Sequence, residues 1–302
     1  MDHHHRHEQG GIDYDRAFAI GIALNLVYVI GEAAAGALSG SLALLADAGH
    51  NLGDVLGLGL AWGAAVLSRR QPSTRFTYGL RSTSILAALA NAIILLVVTG
   101  GVAWESIRRF AHPVPVTGQV IVWVAMIGIV VNGGTALLFA PGRTRDLNLK
   151  GAFLHMAGDA LVTAGVAAAG LAIGLGGWLW LDPAVGLVVS AVIVFGTWGL
   201  LRSAVGLALG AVPEGVDAAA VRAHLAALPG VAALHDLHIW GMSTTETALT
   251  CHLVMPAGHP GDATLNAIAA ALRAHFGIAH ATIQIELADS DAICVLTPEH
   301  LV

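Results

Sequence analysis

Six apolar runs, each long enough to cross a bilayer, constrain this chain more than any other feature. They cover residues 16–38, 42–67, 84–104, 118–140, 152–175 and 183–205. A transmembrane helix needs about 20 apolar residues. Only 11% of the residues are charged, against about 25% in a soluble domain, so water cannot solvate the whole surface. We predict an integral membrane protein with a bundle of six transmembrane helices over residues 16–212, after a polar, His-rich tail over residues 1–15.

The positive charges predict the orientation of these helices. Of the 14 Lys and Arg, ten flank the runs on the side that holds both termini, and only Arg108 and Arg109 lie on the opposite side. Lys and Arg accumulate on the cytoplasmic side of membrane proteins, so we expect both termini in the cytoplasm, at a plasma or inner membrane. The net charge of −6 provides no basic surface for nucleic acid, which we exclude as a partner.

Residues 213–302 have the pattern of a small water-soluble domain. Apolar residues three to four apart predict one helix around 221–228 and another around 265–276. Three strands are predicted between and after them, over residues 231–240, 247–255 and 281–287. The order helix, strand, strand, helix, strand favours a small α+β domain with its helices on one side of the sheet. We expect this domain to be cytoplasmic and to regulate or dimerise rather than to transport.

Two of the apolar runs carry histidine and aspartate at membrane depth, where an ionisable group costs about 2.5–3.5 kcal/mol. The second run contains His50 and Asp54, and the fifth contains His155 and Asp159, both in the pattern His-x-x-Gly-Asp. Residues four apart share a helix face, and the small residues around both pairs allow close approach of the helices. Two imidazoles and two carboxylates can then surround one point, which is the ligand set of a tetrahedral divalent-metal site, most naturally zinc.

The residues alone leave other roles open. A single His–Asp pair can hold two helices together by hydrogen bonds or as a buried ion pair, although two matching pairs favour a metal site. Asp47 lies about one turn from His50, and we assign it a structural or gating role rather than ligation. Glu32, in the first run, fits a proton path or, more simply, a hydrogen bond between helices.

Together with the C-terminal stretches HDLHIW and ATIQIE, these motifs resemble the cation diffusion facilitators, which export zinc and related divalent metals across membranes. The resemblance covers nearly the whole chain. It implies that the two His–Asp pairs form the transport site, and His at the first of the four positions is similar to zinc-preferring members. It also implies a homodimer with a ferredoxin-like cytoplasmic domain, and exchange of metal for H⁺. The chemistry agrees with such exchange, because protons and metal compete for imidazole and carboxylate.

The resemblance also implies a regulatory metal site in the cytoplasmic domain. The candidate ligands are His235, His238, His252 and Glu286. Exposed histidines on a sheet need no special role, so a plain surface location stays an alternative. Gln284 and Glu286 stand where some members have a His-x-Asp pair, which leaves the number of metals in this domain open.

Other segments depart from the family pattern or stand apart from it. The loop over residues 69–82 has four arginines and no His, Asp or Glu, which argues against a loop metal site. The arginines are better explained as determinants of membrane orientation, with contact to anionic lipid headgroups as a second role. No acid lies near Gly210 to form a charged lock between subunits. The histidines of the N-terminal tail favour weak metal capture, with a purification tag as the alternative. Cys251 is predicted to be a core residue, and Cys294 has no Cys partner at metal-site spacing.

The sequence also bears on other classes of function. No H-E-x-x-H or G-x-S-x-G motif occurs, and four protein ligands leave zinc without the open position that catalysis needs, so we predict no enzyme. Conduction through a channel needs weak binding rather than four tight ligands. We predict a homodimeric antiporter that exports zinc or a related divalent cation in exchange for H⁺. A membrane metal sensor or a cation channel that uses the same residues is the alternative.

Overall fold

The computed structural model describes residues 14–68, 70–112, 114–140 and 147–287. The His-rich tail and Cys294 lie outside these residues. Six long helices come first: α1 Tyr14–Ser39, α2 Leu42–Ser68, α3 Thr83–Ala111, α4 Gly118–Phe139, α5 Leu147–Gly176 and α6 Leu181–Ala208. A mixed segment follows: α7 Ala218–Ala226, β1 Ala233–Gly241, β2 Thr247–Val254, α8 Asp262–Phe276 and β3 Ile278–Glu286.

The long helices confirm a helical membrane domain. Four stretches within α3, α4, α5 and α6 are long and apolar enough to cross a bilayer, and α1 contributes a shorter apolar stretch, Ala23–Ser39. Each predicted run coincides with one of the six helices. The number of helices that cross the membrane stays a prediction.

The chain forms two compact units. The first contains the described residues up to Leu58 and Ile93–Thr197, and the second contains Gly59–Ala92 and the described residues from Trp198 onward. In the first unit, buried aliphatic side chains from five helices form one core: Ala43, Leu44, Ala46, Leu95, Ile121, Ala125, Val166, Ile173, Val189 and Ile193. Glycine brings α4 and α5 into close contact, because a Cβ on Gly118 would lie 2.5 Å from the Gly170 carbonyl oxygen.

A carboxylate from α6 caps the start of α2. Asp182 is 1% exposed; one of its oxygens accepts hydrogen bonds from the Ser41 hydroxyl (2.5 Å) and the Ala43 N–H (3.2 Å). Its other oxygen accepts from the Leu42 N–H at 2.8 Å. The first N–H groups of a helix have no partner within it, and a side-chain oxygen usually supplies one. Here a distant residue does so, which fixes the start of α2 relative to α6.

The second unit contains the predicted α+β domain. Its sheet has the order β1-β2-β3, with β1 antiparallel and β3 parallel to β2. The parallel pair needs a crossover connection, and α8 provides it. The order α-β-β-α-β is therefore confirmed. The last strand begins at Ile278, three residues before the predicted start. The prediction missed these residues because the exposed Ala279 and His280 interrupt the apolar alternation on which it relied.

The core of this domain lies on one face of the sheet. Both helices contribute to it, through Val221, Leu225, Ile268 and Leu272, and the centre of β2 provides Leu249, Cys251 and Leu253. Cys251 is 1% exposed, as predicted for a core residue. Side chains alternate along a strand, so His252 lies on the opposite, polar face.

The second unit also includes the start of α3, which contacts the turn between β1 and β2. Arg81 pairs with Glu246 at 2.6 Å, and the Ser82 hydroxyl donates to the Met242 carbonyl at 3.2 Å. The Thr244 N–H donates to the Ser84 hydroxyl at 3.1 Å. Arg81 is one of the four arginines of the loop over residues 69–82.

Candidate metal sites

Helices α2 and α5 bring the four predicted transport residues together. The Nε2 atom of His50 lies 3.1 Å from an oxygen of Asp159 and 3.9 Å from an oxygen of Asp54. His155 Nε2 lies 3.3 Å from Asp54 and 3.7 Å from Asp159. Each imidazole therefore faces both carboxylates. The two rings stand nearly perpendicular, with their centroids 6.3 Å apart.

The four side chains differ in burial and spacing. His50, Asp54 and Asp159 offer ligand atoms that all lie within 4.8 Å of one another. His155 is outside this compact group and adjoins it through the two carboxylates. Its side chain is 45% exposed, whereas that of Asp159 is 5% exposed. The four-residue cluster therefore has a buried carboxylate, Asp159, at one end and a solvent-exposed imidazole, His155, at the other.

The spacing of nitrogen and oxygen atoms matches what a tetrahedral ion requires. Ligands bound to such an ion at about 2.0–2.2 Å are themselves about 3.4 Å apart, and the His–Asp contacts here span 3.1–3.9 Å. One oxygen of Asp54 and one of Asp159 are buried, and among the described residues they have no hydrogen-bond partner besides the facing imidazoles. A cation or a proton among these groups would satisfy them.

Asp47 connects helices α2 and α5. Its side chain is fully buried, and the Thr163 hydroxyl lies 2.9 Å from its carboxylate and 2.9 Å from the backbone carbonyl of Asp159. Thr163 follows Asp159 by one helical turn. Asp47 thus ties α2 to the part of α5 that carries Asp159, which supports a structural role.

Glu32 makes hydrogen bonds within and between helices. It is 1% exposed and accepts from the Tyr28 hydroxyl at 2.5 Å and from the Asn51 amide at 3.2 Å. Asn51 follows His50 directly on α2. The contacts agree with the simpler reading of Glu32, a hydrogen bond between helices.

Three of the four predicted cytoplasmic ligands also meet. His235 and His252 are partners across β1 and β2, with ring centroids 5.1 Å apart. Glu286 Oε1 lies 2.8 Å from His252 Nδ1 and 3.3 Å from His235 Nε2. The ligand atoms of the three residues lie within 4.8 Å of one another. Gln284, opposite His252 in the register, donates to Glu286 at 3.3 Å.

His238 is not part of that compact group, and an aspartate that the sequence reasoning missed lies beside it. His238 Nε2 contacts Asp236 Oδ1 at 2.9 Å, and its side chain is 41% exposed. The other oxygen, Asp236 Oδ2, lies 3.4 Å from His252 Nε2. The signal for Asp236 was its position between the two histidines of HDLH, which a regular strand would place on opposite faces.

Comparisons with known proteins identify the family. The pattern described as the cation efflux transmembrane domain matches residues 18–207, and that of the cation efflux protein cytoplasmic domain matches residues 213–288. The chain belongs to the cation diffusion facilitators. The family that the sequence motifs resembled is thus confirmed.

Individual relatives of this cation diffusion facilitator are similar over most of their length. The cation efflux system protein CzcD of Alcaligenes sp. strain CT14 is 34% identical over 95% of this chain and 90% of the relative. Zinc transporter ZitB of Escherichia coli K12 is 37% identical over 95% and 93%. The cadmium, cobalt and zinc/H(+)-K(+) antiporter of Bacillus subtilis 168 is 31% identical over 93% and 91%.

A solved structure also matches the C-terminal region. The metal-bound C-terminal domain of the CzcD transporter from Cuprividus metallidurans is 41% identical over 24% of this chain and all of that chain, with a TM-score of 0.23.

Family membership makes this cation diffusion facilitator a multi-pass integral membrane protein that transports divalent metal cations, and it excludes an enzyme.

Proposed function

We propose that the protein exports zinc, or a related divalent cation, in exchange for H⁺, through a tetrahedral site made of His50, Asp54, His155 and Asp159. The observation that carries this proposal is the alternation of imidazole nitrogens and carboxylate oxygens at 3.1–3.9 Å between α2 and α5. Nitrogen and oxygen ligands in this number suit zinc, although they also suit cobalt, nickel, iron and cadmium. The zinc transporter and antiporter names of two relatives agree with it.

Proton exchange follows from the chemistry of the four ligands. Carboxylate and neutral imidazole bind metal, whereas their protonated forms do not. An imidazole with an ordinary pKa near 6.5 changes charge close to neutral pH. A site that opens to the more acidic side would therefore release metal and take up protons. A site that opens to the cytoplasm would then lose the protons and bind metal again.

The proposal includes an arrangement in the membrane. Six helices over residues 16–212 cross the bilayer, the tail over residues 1–15 and the domain over residues 213–302 are cytoplasmic, and two copies form a homodimer. The distribution of Lys and Arg supports this orientation. Lipid surrounds the apolar helices, several of which present large exposed hydrophobic side chains such as Trp123, Leu161 and Phe195.

In the cytoplasmic domain we infer a regulatory metal site formed by His235, His252 and Glu286. The close approach of three ligand atoms supports it, as does the burial of His235 and His252, which are 7% and 9% exposed. His238 lies at the edge of this cluster. The strands that carry these ligands are hydrogen-bonded neighbours, which suits a metal that stays bound.

Zinc flux into liposomes tests the transport proposal. The purified protein is reconstituted with a zinc-sensitive dye inside, and flux is measured with and without an imposed pH gradient. We expect gradient-driven flux in the wild type and its loss in Asp159→Asn, which keeps the shape of the side chain but removes the charged carboxylate ligand. Asn132→Ala on α4 is the control, because it also removes a buried polar group but lies outside the four residues.

Each other outcome rejects a definite part of the proposal. Gradient-driven flux that persists in Asp159→Asn would contradict the site. Zinc binding without flux in the folded wild type would indicate a sensor, and flux that does not saturate and ignores the pH gradient would indicate a channel. A flux that requires an imposed K⁺ gradient would add the second counter-ion that one relative's name includes.

A further inference from the structure

Asp236 has an unusual backbone conformation. Among the described residues it is the only one other than glycine with a positive φ, 51°. Side chains disfavour this left-handed region, and Asn and Asp tolerate it best. Non-glycine residues held there concentrate at functional sites. The contacts around Asp236 should therefore explain why it adopts this conformation.

The reason lies in the register of β1 and β2. His235 pairs with His252 and His238 pairs with Thr250, so two residues of β1, Asp236 and Leu237, stand where β2 has one. This is a β-bulge. His252 and Thr250 are two apart and share one face of the sheet. The bulge therefore puts His235 and His238 on that same face, although residues three apart in a regular strand point to opposite faces.

The bulge also directs the Asp236 carboxylate at two histidines. One oxygen lies 2.9 Å from His238 Nε2, and the other lies 3.4 Å from His252 Nε2. The Asp236 side chain is only 10% exposed. The second nitrogen of His252, Nδ1, lies 2.8 Å from Glu286. His252 thus has a carboxylate on each side, and the one beside Nδ1, Glu286, also contacts His235.

A metal held by His235, His252 and Glu286 sets a condition on His252. The metal would bind Nδ1, which must then carry a lone pair, so the single proton of the neutral ring must sit on Nε2. Nε2 faces Asp236. Histidines that bind metal almost always donate the other ring N–H to a carboxylate, a carbonyl or water, which fixes the tautomer and the ring orientation.

We propose that Asp236 is a positioning residue for this metal site. It accepts the Nε2 proton of His252 and so keeps Nδ1 of His252 free for the metal. His238 holds the other oxygen of Asp236 in place and is therefore a support of the site rather than a ligand. The inference rests on the proposed cytoplasmic metal site, and its test separates the two.

Two substitutions separate the carboxylate from the backbone. Asp236→Asn keeps the size and the tolerance of positive φ but removes the charge, and Asp236→Gly keeps the backbone freedom but removes the side chain. Zinc affinity is measured on the full-length protein in detergent, with a chelating dye as competitor and Asp159→Asn present in every variant to remove transport-site binding. We expect both variants to bind zinc about 10–100-fold more weakly, with the unfolding temperature of Asp236→Asn unchanged.

A spectroscopic measurement excludes a merely structural role. In protein labelled with ¹⁵N-histidine, the Nε2–H signal of His252 is the one that disappears in His252→Ala. We expect this proton to be protected from exchange in the zinc-bound wild type and to exchange faster in Asp236→Asn. Wild-type zinc affinity in both Asp236 variants, or an unchanged exchange rate, would show that Asp236 only shapes the bulge.

Failure of the cytoplasmic site itself gives a different result. His252→Ala and Glu286→Ala would then leave zinc binding as in the parent protein. If these two variants lose zinc and Asp236→Asn does not, the metal site stands and the role of Asp236 is wrong. If neither loses zinc, the site and the inference both fall.

Discussion

Removing the carboxylate of Asp182 should destabilise the start of α2. Asp182→Ala deletes three hydrogen bonds, to the Ser41 hydroxyl and the N–H groups of Leu42 and Ala43. Loss of a helix N-cap costs about 0.5–2 kcal/mol, and each buried N–H left without a partner costs about 1–3 kcal/mol. The variant no longer has to bury a carboxylate, which offsets part of this loss. We expect a net loss of about 2–4 kcal/mol.

Thermal unfolding of the purified protein in detergent measures this effect. Roughly 2 °C of unfolding temperature per kcal/mol applies to a chain of this size, so we expect a decrease of roughly 4–8 °C. Asp182→Asn keeps one acceptor oxygen and should lose less. Ser190→Ala is the matched control, because Ser190 is also buried on α6 and its hydroxyl has no hydrogen-bond partner among the described residues. An unfolding temperature of Asp182→Ala equal to that of Ser190→Ala would refute the capping argument.

Four further predictions use other parts of the chain. His50→Asp should shift transport from zinc toward manganese in competition flux assays, because carboxylates suit harder metals; unchanged preference would contradict a ligand role. Burial raises the pKa of Cys251 to about 12, so this thiol should resist alkylation at pH 8 until the protein unfolds, and its contribution to stability should be lost as the pH rises from about 9 to 12; rapid labelling of folded protein would oppose this. The Arg81–Glu246 pair is 40% and 37% exposed, so a double-mutant cycle should give a coupling below about 1 kcal/mol, and a larger value would mean the pair is shielded from water. His252→Ala should alter the zinc dependence of transport more than its maximal rate, and complete loss of flux in folded protein would contradict a regulatory role.

Local periodicity allowed the sequence to predict which four residues meet between α2 and α5. His50 and Asp54 are four apart, as are His155 and Asp159, and the α-helix places such pairs on one face wherever the helix lies. The small residues around them predicted close approach of α2 and α5, but Gly53 of α2 packs against Leu95 of α3, and a Cβ on Gly158 of α5 would meet nothing within 4 Å. The spacing could not predict that the four side chains differ in solvent exposure. The exposure of His155 and the burial of Asp159 depend on the neighbouring helices.

Long-range contacts and one local irregularity account for what was missed. Asp182 lies 140 residues from Leu42, to which it bonds, and no local pattern links a residue of one helix to the free N–H groups of another. Asp236 was missed because strand prediction assumes strict alternation, and the bulge inserts a residue into β1. The same bulge explains how His238 shares a face with His235 and yet stays outside the compact ligand group.

The two candidate sites use similar ligands, but one set lies on helices and the other on paired β-strands. This difference bears on their proposed roles. In the membrane site the ligands lie on two helices that are joined there by side-chain contacts, such as His50 with Asp159 and Thr163 with Asp47. Those contacts can break while every backbone hydrogen bond of α2 and α5 is kept. In the cytoplasmic site, His235 and His252 lie on paired strands, and separating them would break the sheet. Side-chain contacts between helices would let a metal enter and leave at each cycle, as the proposed transport site requires, whereas paired strands favour a metal that stays bound.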